Sequence, residues 1–328
     1  MTTLITGAGG YVGVNLAQTL LERRREVVLF DAQPLPAAAA RVLGALPGRF
    51  RFVQGDIRDA AALDAACTGV DGAIHCAAIT SGPEREASAP GSVFDVNVGG
   101  TVAILAAVRR NRLRRIVLTS SGAVYGESLY SGPPMREEAT PVLPETLYAT
   151  SKYAAERAAR RLAELWRIDV VVARLGTVIG PWERDTGVRD NFGPHSQLAQ
   201  IACAGGGAIL PTTELTRDWV YSRDVAAGLV ALLDAPSHRH FVYNLSAGLD
   251  WQGGIQAWCE RLVIAFPDFR FRIAQVGEPS TIHYTDRSRL NMDISRLADP
   301  SDVGFRPAFD IERAYDHFAQ WLREQRSA

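Results

Sequence analysis

The chain has 328 residues, 47% of them hydrophobic and 22% charged, and a formal net charge of -1. This is the balance of a globular protein that needs neither disulfides nor a metal to complete its core, and a charge so close to zero argues against nucleic-acid or membrane-surface binding. The four cysteines show no CxxC spacing, so we expect no metal site and no disulfide framework, and a reducing compartment such as the cytoplasm.

The first half of the chain alternates short apolar strands with amphipathic helices. It starts directly with a strand, without the pattern of a signal peptide, and we find no apolar run of the ~18 residues that a membrane span needs. The alternation predicts βαβ units and a parallel sheet covered on both faces, which is an α/β, doubly wound Rossmann fold. The predicted strands are 4–6, 27–31, 51–56, 73–76, 116–121 and 170–173, and the predicted helices are 11–24, 60–67, 93–110 and 148–166.

The second half is less regular. Prolines and glycines dominate residues 181–216, with one helix predicted at 195–204. A strand end and helix over 218–234 and a strand at 241–244 follow. We therefore expect the chain to return to the sheet before it finishes in a smaller C-terminal region.

A glycine-rich turn joins the first strand to the first helix. Gly7 permits the tight turn, Gly10 lets the backbone approach a pyrophosphate, and Gly13 allows close packing of helix on strand. Asp31, which closes the second strand, is placed to accept hydrogen bonds from both ribose hydroxyls. Its carboxylate would repel a 2′-phosphate and no arginine follows it closely, so the turn predicts a site for NAD rather than NADP.

Asp56 ends the third strand and has two interpretations. Its carboxylate could reach the adenine edge of the cofactor, or it could cap the helix predicted over the 59–67 stretch. The residues alone do not decide between them.

Tyr148 and Lys152 lie four residues apart at the start of a predicted helix, so the phenol and the ammonium share one face. A free tyrosine has a pKa near ~10, and a nearby ammonium with a nicotinamide cation lowers it by favouring the phenolate. Ser121 ends the fifth strand, where such folds place ligands, and can hydrogen-bond a substrate oxygen whose charge changes as hydride leaves. Each residue has an ordinary structural explanation on its own; together, behind a dinucleotide turn, they predict redox catalysis at a carbinol carbon.

These motifs stand in one order along most of the chain, and in that order they resemble the extended short-chain dehydrogenase/reductase family, the NAD-dependent epimerase/dehydratases, including enzymes such as UDP-glucose 4-epimerase. The motifs are Thr6-Gly7-x-x-Gly10-x-x-Gly13, Asp31, Gly55-Asp56-Ile57, His75-Cys76-Ala77-Ala78, Asn97-Val98-Gly99-Gly100-Thr101, Ser120-Ser121-Gly122-Ala123-Val124-Tyr125-Gly126, Tyr148-x-x-x-Lys152 and Arg217-Asp218-Trp219-Val220-Tyr221-Ser222-Arg223-Asp224-Val225.

The resemblance implies an enzyme with Tyr148 as acid/base, Lys152 as its partner and Ser121 orienting the substrate oxygen, and His75 as a strand residue. It implies an NAD-binding Rossmann domain over 1–176, to which 217–245 returns, and a substrate-binding region of 177–216 and 246–328. As in many relatives, the helices near 93–110 and 148–166 would pair as a homodimer. The implied cofactor-binding residues are Gly7, Gly10, Tyr11, Val12, Gly13, Asp31, Asp56, Ile57, Cys76, Ala77, Ala78, Asn97, Tyr148 and Lys152.

Four residues are implied to bind substrate: Ser121, Thr177, Asn191 and Arg217. Arg217 matches an arginine that holds the diphosphate of nucleotide sugars, although an ion pair with a neighbouring aspartate, Asp218 or Asp224, would also explain it. Thr177 stands where many relatives carry an asparagine that binds substrate. Dehydratase relatives carry acidic residues where this chain has Gly122 and Ala123, so dehydratase or decarboxylase chemistry is not expected.

Three functions follow for a small-molecule sugar or nucleotide-sugar substrate. The leading one is an NAD-dependent nucleotide-sugar 4-epimerase that works by transient hydride transfer. Arg217 favours this function. The alternative, motivated by Thr177, is an NAD-dependent dehydrogenase of a free sugar, sugar acid or polyol. A non-catalytic NAD-sensing protein is the third, and it would not need the Ser121, Tyr148 and Lys152 set.

Overall fold

Seven parallel strands form the sheet at the centre of the protein. The computed structural model describes residues 1–190, 192–213, 216–248, 254–283 and 287–326. The strands are β1 (Thr2–Thr6), β2 (Glu26–Asp31), β3 (Arg49–Gln54), β4 (Gly72–His75), β5 (Arg115–Ser121), β6 (Val170–Leu175), β7 (Thr177–Ile179), β8 (Gly207–Leu210), β9 (Trp219–Tyr221), β10 (Val242–Leu245) and β11 (Arg270–Ile273). The order of the strands in the seven-stranded sheet is β10-β6-β5-β4-β1-β2-β3.

Helices cover both faces of this sheet. Alternate strand residues such as Leu4 and Ile5 enter two separate apolar cores, one beneath α1 and α9 and one beneath α3, α6 and α7. The predicted doubly wound α/β fold is confirmed. The helices are α1 (Tyr11–Glu22), α2 (Ala37–Gly44), α3 (Ala60–Cys67), α4 (Pro83–Ser88), α5 (Pro90–Phe94), α6 (Gly100–Asn111), α7 (Leu147–Trp166), α8 (Pro194–Cys203), α9 (Ser222–Asp234), α10 (Gly254–Ala265), α11 (Ser295–Ala298) and α12 (Ile311–Arg326).

The single helix predicted at 93–110 is interrupted. A π-helical turn, Asp95–Gly99, separates α5 from α6 and turns the Asn97 side chain into the protein. The run Pro90–Asn111 is long and apolar enough to span a membrane by length and composition, which corrects the expectation that no apolar stretch reaches this length. α6 packs against α3, α7, β4 and β5, the position of a core helix in a Rossmann fold.

The chain returns to the sheet through β10, which pairs with β6 at the sheet edge, as expected. β9 pairs instead with β7, outside the seven-stranded sheet. A further apolar core lies among α8, α10 and α12 and is built around large aromatic residues, including Trp219, Trp258 and Phe318. The division of the chain into a cofactor domain and a substrate-binding region stays a prediction.

Candidate active site

A cleft of about 940 Å³ runs along the carboxyl ends of the central strands. Its wall is made by the residues that follow β1 to β6, and segments near Arg189 and Arg289 complete it. In doubly wound folds this edge of the sheet is where ligands bind. Most of the predicted site residues line the cleft, namely Gly7, Gly10, Tyr11, Val12, Gly13, Asp31, Asp56, Ile57, Cys76, Ala77, Ala78, Ser121, Tyr148, Lys152 and Thr177.

The glycine-rich turn has a shape that only glycine permits. Gly7 has φ +68°, and a Cβ there would lie 2.6 Å from the Ala77 nitrogen. A Cβ on Gly13 would lie 2.1 Å from the Gly7 carbonyl oxygen. α1 starts beside this turn with Gly10 as its N-cap and no side-chain cap on its first backbone N–H groups. The bare helix start and the close backbone packing fit a dinucleotide pyrophosphate.

Asp31 is the last residue of β2 and lies beside this turn. One of its carboxylate oxygens accepts a hydrogen bond from the Gly9 nitrogen at 2.9 Å, and the other accepts from the Gln33 nitrogen at 3.1 Å. No arginine follows Asp31 closely in the chain, but the fold brings Arg184 near it. A guanidinium nitrogen of Arg184 donates to the Gly9 carbonyl at 2.9 Å. Burial lowers the pKa of Arg184, and the Asp31 carboxylate opposes that shift.

The second interpretation of Asp56 is wrong, because Asp59 caps α3. The Asp59 carboxylate accepts from the Ala61 nitrogen at 2.9 Å. Asp56 instead pairs with Arg58 at 2.6 Å, and the hydrogen bonds from Arg58 lower the pKa of Asp56 to about 2. Asp56 lies in the wall of the cleft, and its contact with an adenine edge stays a prediction.

Asn97 is not among the described residues that line the cleft. This corrects the expectation that Asn97 contacts the cofactor directly. The Asn97 amide oxygen accepts from the Ile79 nitrogen at 2.8 Å, and its nitrogen donates to the Ser151 hydroxyl at 2.9 Å. The side chain therefore joins the loop after β4 to α7, one layer behind the cleft. It supports the wall because its buried amide is occupied by these bonds.

The predicted substrate residues are placed differently from one another. Thr177 lies in the wall, where its backbone nitrogen donates to the Asp218 carbonyl at 3.0 Å. Arg217 is buried next to Asp218, which lines the cleft, but Arg217 is not itself among the described lining residues. Asn191 lies outside the described residues.

Tyr148 stands in the first turn of α7, which is capped by the Thr146 hydroxyl accepting from the Ala149 nitrogen at 3.1 Å. Its phenol meets the hydroxyls of Ser121 and Thr80. Burial raises the pKa of Tyr148 above its usual range, while the Ser121 bond, the Arg189 charge and the Thr80 bond act in the opposite direction. The Tyr148 phenol, a group able to act as a base, thus interacts with two hydroxyls.

Lys152 follows one turn later on α7 and is almost fully buried. Burial lowers the pKa of Lys152 to about 8, opposed by the nearby Cys76 and Glu156. Glu156, a further turn along the same face, forms a buried ion pair with Arg174 at 2.7 Å and accepts from the Ser120 hydroxyl. These bonds tie α7 to the ends of β5 and β6, which fixes the position of Tyr148 beside Ser121.

Neither His75 nor Cys76 is suited to catalysis. His75 lies in β4, within hydrogen-bond distance of Thr6 (2.7 Å) and Thr101 (3.2 Å), and burial lowers its pKa to about 3. The expectation that His75 is a strand residue is confirmed. Burial raises the pKa of the Cys76 thiol to about 12, so no nucleophilic thiolate forms there at neutral pH.

Sequence reasoning missed several polar residues of the wall, among them Thr80, Arg184, Arg189 and Arg289. Thr80 stands two residues after the 75–78 motif, and that position could have been noted. The arginines carry no local signal, since they come from irregular segments. The Arg289 Nε atom is buried without a hydrogen-bond partner among the described residues.

The model of the NAD dependent epimerase/dehydratase family matches residues 3–246. The chain therefore belongs to this family of NAD-dependent enzymes. The fold provides three features that suit NAD-dependent chemistry: the glycine turn, the cleft along the strand ends, and the pair of Tyr148 and Lys152. The expected NAD cofactor and enzymatic nature are confirmed at the level of the family.

The relatives differ in their reactions. A UDP-glucose 4-epimerase from Streptomyces lividans is 33% identical over 75% of this chain and 75% of its own. A sterol demethylase protein B from Methylococcus capsulatus is 32% identical over 94% of this chain and 84% of its own. Among solved structures, a dTDP-glucose 4,6-dehydratase from Streptomyces venezuelae with NAD bound has a TM-score of 0.78 at 26% identity and covers 100% of this chain and 98% of that one.

Proposed function

We propose that this protein is an NAD-dependent sugar epimerase, acting on a nucleotide sugar at carbon 4 by transient hydride transfer. The observation that carries the proposal is the contact of the Tyr148 phenol with the Ser121 and Thr80 hydroxyls inside the cleft of the glycine turn. A carbinol oxygen placed among these hydroxyls would be held for proton transfer next to the cofactor.

Gly7, Gly10, Gly13 and Asp31 would hold NAD, with Lys152 on its ribose hydroxyls, and bound NAD supplies a reversible hydride acceptor. Tyr148 Oη takes the proton of the substrate hydroxyl, and Ser121 and Thr80 orient that oxygen. After the 4-keto sugar turns over in the cleft, the hydride would return to the opposite face of carbon 4, and the same phenol would return the proton to the oxygen. One acid/base residue suffices because both half-reactions use the same oxygen.

An anionic substrate is supported by Arg289. Its side chain lines the cleft near the apolar residues Leu290 and Met292. Because a guanidinium is a permanent cation with several N–H donors, a diphosphate oxygen is a fitting partner for it. The UDP-glucose 4-epimerase relative supports the same substrate class.

Epimerisation is favoured over dehydration by the residues after Ser121. Gly122 and Ala123 provide no acid, and a Cβ on Gly122 would lie 2.8 Å from the Met292 sulfur. An acidic side chain at that position would require Met292 to move. We therefore propose an epimerase, although dehydratases are among the relatives.

A dehydrogenase of a free sugar, sugar acid or polyol is the second candidate. Thr177 lines the cleft where an asparagine would be expected for a nucleotide sugar. The sterol demethylase relative, which covers more of this chain than the Streptomyces lividans epimerase does, also carries a name outside nucleotide-sugar chemistry.

The test is to incubate the purified protein with NAD and a panel of UDP-sugars, free sugars and sugar acids, following both NADH absorbance and product identity. We expect interconversion of a UDP-sugar pair without NADH release, with kcat lowered ~10²–10⁴-fold in Tyr148→Phe. Steady NADH release with a free sugar or acid would establish the dehydrogenase instead. NAD binding with no turnover of any compound would leave the NAD-sensing protein.

A further inference from the structure

Residues 180–190, which we call the crossing segment, pass from the glycine turn to the loop after β4. At one end the Tyr11 hydroxyl donates to the Gly180 carbonyl at 3.3 Å. At the other end the segment pairs with Thr80, whose nitrogen donates to the Val188 carbonyl at 2.9 Å and whose carbonyl accepts from the Asp190 nitrogen at 3.1 Å. The segment therefore spans the cleft and is anchored on both sides.

Arg189 is the residue of this segment that faces the catalytic end. The backbone pairing places it directly beside Thr80, and the Thr80 hydroxyl meets the Tyr148 phenol. Its guanidinium lines the cleft, lies 5.5 Å from the centre of the Tyr11 ring and donates to Glu183 with Nε at 2.9 Å. Glu183 is almost fully buried, so the pair holds the guanidinium in one place.

We propose that Arg189 is a positioning residue of the active site, whose guanidinium, carried across the cleft by the crossing segment, holds the Tyr148 phenol in its ionised form. The burial of Tyr148 favours the neutral phenol, and the groups that oppose this effect are the Ser121 bond, the Arg189 charge and the Thr80 bond. The Arg189 charge lowers the pKa of Tyr148, and the phenol in return raises that of Arg189.

Other charged groups face the same region and bear on the titration. Lys152 lies on α7 itself, and on α4 the Glu86 carboxylate accepts from the Tyr148 backbone nitrogen at 3.3 Å. On the crossing segment, the Glu183 carboxylate acts on Tyr11, whereas Arg189 acts on both tyrosines. Removal of Glu183 should thus affect Tyr148 much less than removal of Arg189 does.

The experiment compares two variants that differ only at Arg189. Removal of Arg189 alone would leave the Glu183 carboxylate buried without its cation and could unfold the protein, so both variants carry Glu183→Gln. With saturating NAD, tyrosinate absorbance is titrated with pH in E183Q and in E183Q/R189Q. The contribution of one of the nine tyrosines is isolated by subtracting the titration of the same protein with Tyr148→Phe.

We expect the Tyr148 midpoint of E183Q/R189Q to lie about one pH unit above that of E183Q, and E183Q/R189K to restore it. Coinciding midpoints would overturn the proposal. Arg184→Gln is the matched control, because it removes a cation of the same segment that faces Asp31 and not Tyr148. A shift of the Tyr148 midpoint in Arg184→Gln as large as the shift caused by Arg189→Gln would also overturn the proposal. The titration needs no substrate, so its result is independent of the test of the proposed epimerase activity. The role of Arg189 in catalysis rests on that proposed activity.

Discussion

Burial acts on the two central residues of the site in opposite directions. It raises the pKa of the Tyr148 phenol and lowers that of the Lys152 amine to about 8, because a low-dielectric surrounding disfavours the charged form of each. A phenolate beside an ammonium is therefore costly in this cleft unless further groups stabilise it. Ser121, Thr80 and Arg189 are the groups that the fold provides.

The charge of Lys152 gives a prediction for the pH dependence of activity. The amine is protonated below about pH 8 and loses its charge as the pH rises through that value, after which it no longer favours the phenolate. We expect kcat to fall on this basic limb. Lys152→Arg, which stays charged, should move the decline to higher pH in a kcat–pH profile. A rate that stays level well beyond pH 8 in the wild-type protein would contradict the assignment.

At the scale of elements, the first βαβ unit followed its sequence pattern closely. The helix predicted at 11–24 is α1, Tyr11–Glu22, and the strand predicted at 27–31 is β2, Glu26–Asp31. Local periodicity suffices there because each element is apolar toward a core formed by its chain neighbours. The π-turn in the predicted 93–110 helix had no such signal, since the apolar pattern continues through it.

The glycine turn gives a prediction at this scale. Gly13→Ala would bring a Cβ within 2.1 Å of the Gly7 carbonyl oxygen, so the start of α1 must shift and NAD binding should weaken strongly. Gly44→Ala is the control, because nothing lies within 4 Å of a Cβ there and α2 should gain up to ~0.5–1 kcal/mol from the lower backbone entropy of alanine. Isothermal titration with NAD and urea unfolding measure the two effects. Equal NAD affinity in Gly13→Ala and the wild type would refute the assigned role of the turn.

At the scale of the whole molecule, the homodimer expected from α6 and α7 stays a proposal. Two large apolar side chains are exposed on these helices, Val102 at 37% and Leu165 at 56%, while the buried face of each helix packs on its neighbours. Contact across a two-fold axis would cover both residues on each copy.

We expect the protein to sediment at twice its 35.6 kDa chain mass. Leu165→Glu should dissociate this dimer, because a carboxylate would be buried without a partner at the interface. Ile264→Glu is the control, since Ile264 on α10 is also exposed, at 73%, but lies on another helix. Sedimentation velocity measures both. A wild-type monomer at micromolar concentration, or dissociation by both substitutions, would argue against this interface.

The sequence by itself determined the features that depend on short stretches of chain. The alternation of strands and helices, the glycine turn with Asp31, and the Tyr148 and Lys152 spacing could be recognised because their residues act through neighbours a few positions away. Asn97 shows the limit, since it belongs to a recognisable motif but lies one layer behind the cleft.

Only the tertiary structure decided which distant side chains complete the site. Arg184 reaches the glycine turn, and Arg189 reaches Thr80 and Tyr148, from an irregular segment without periodicity. Arg289 joins the cleft from the C-terminal region. Their positions follow from the packing of segments far apart in the chain, which no local pattern encodes, and so these three cations of the cleft wall became visible only in the fold.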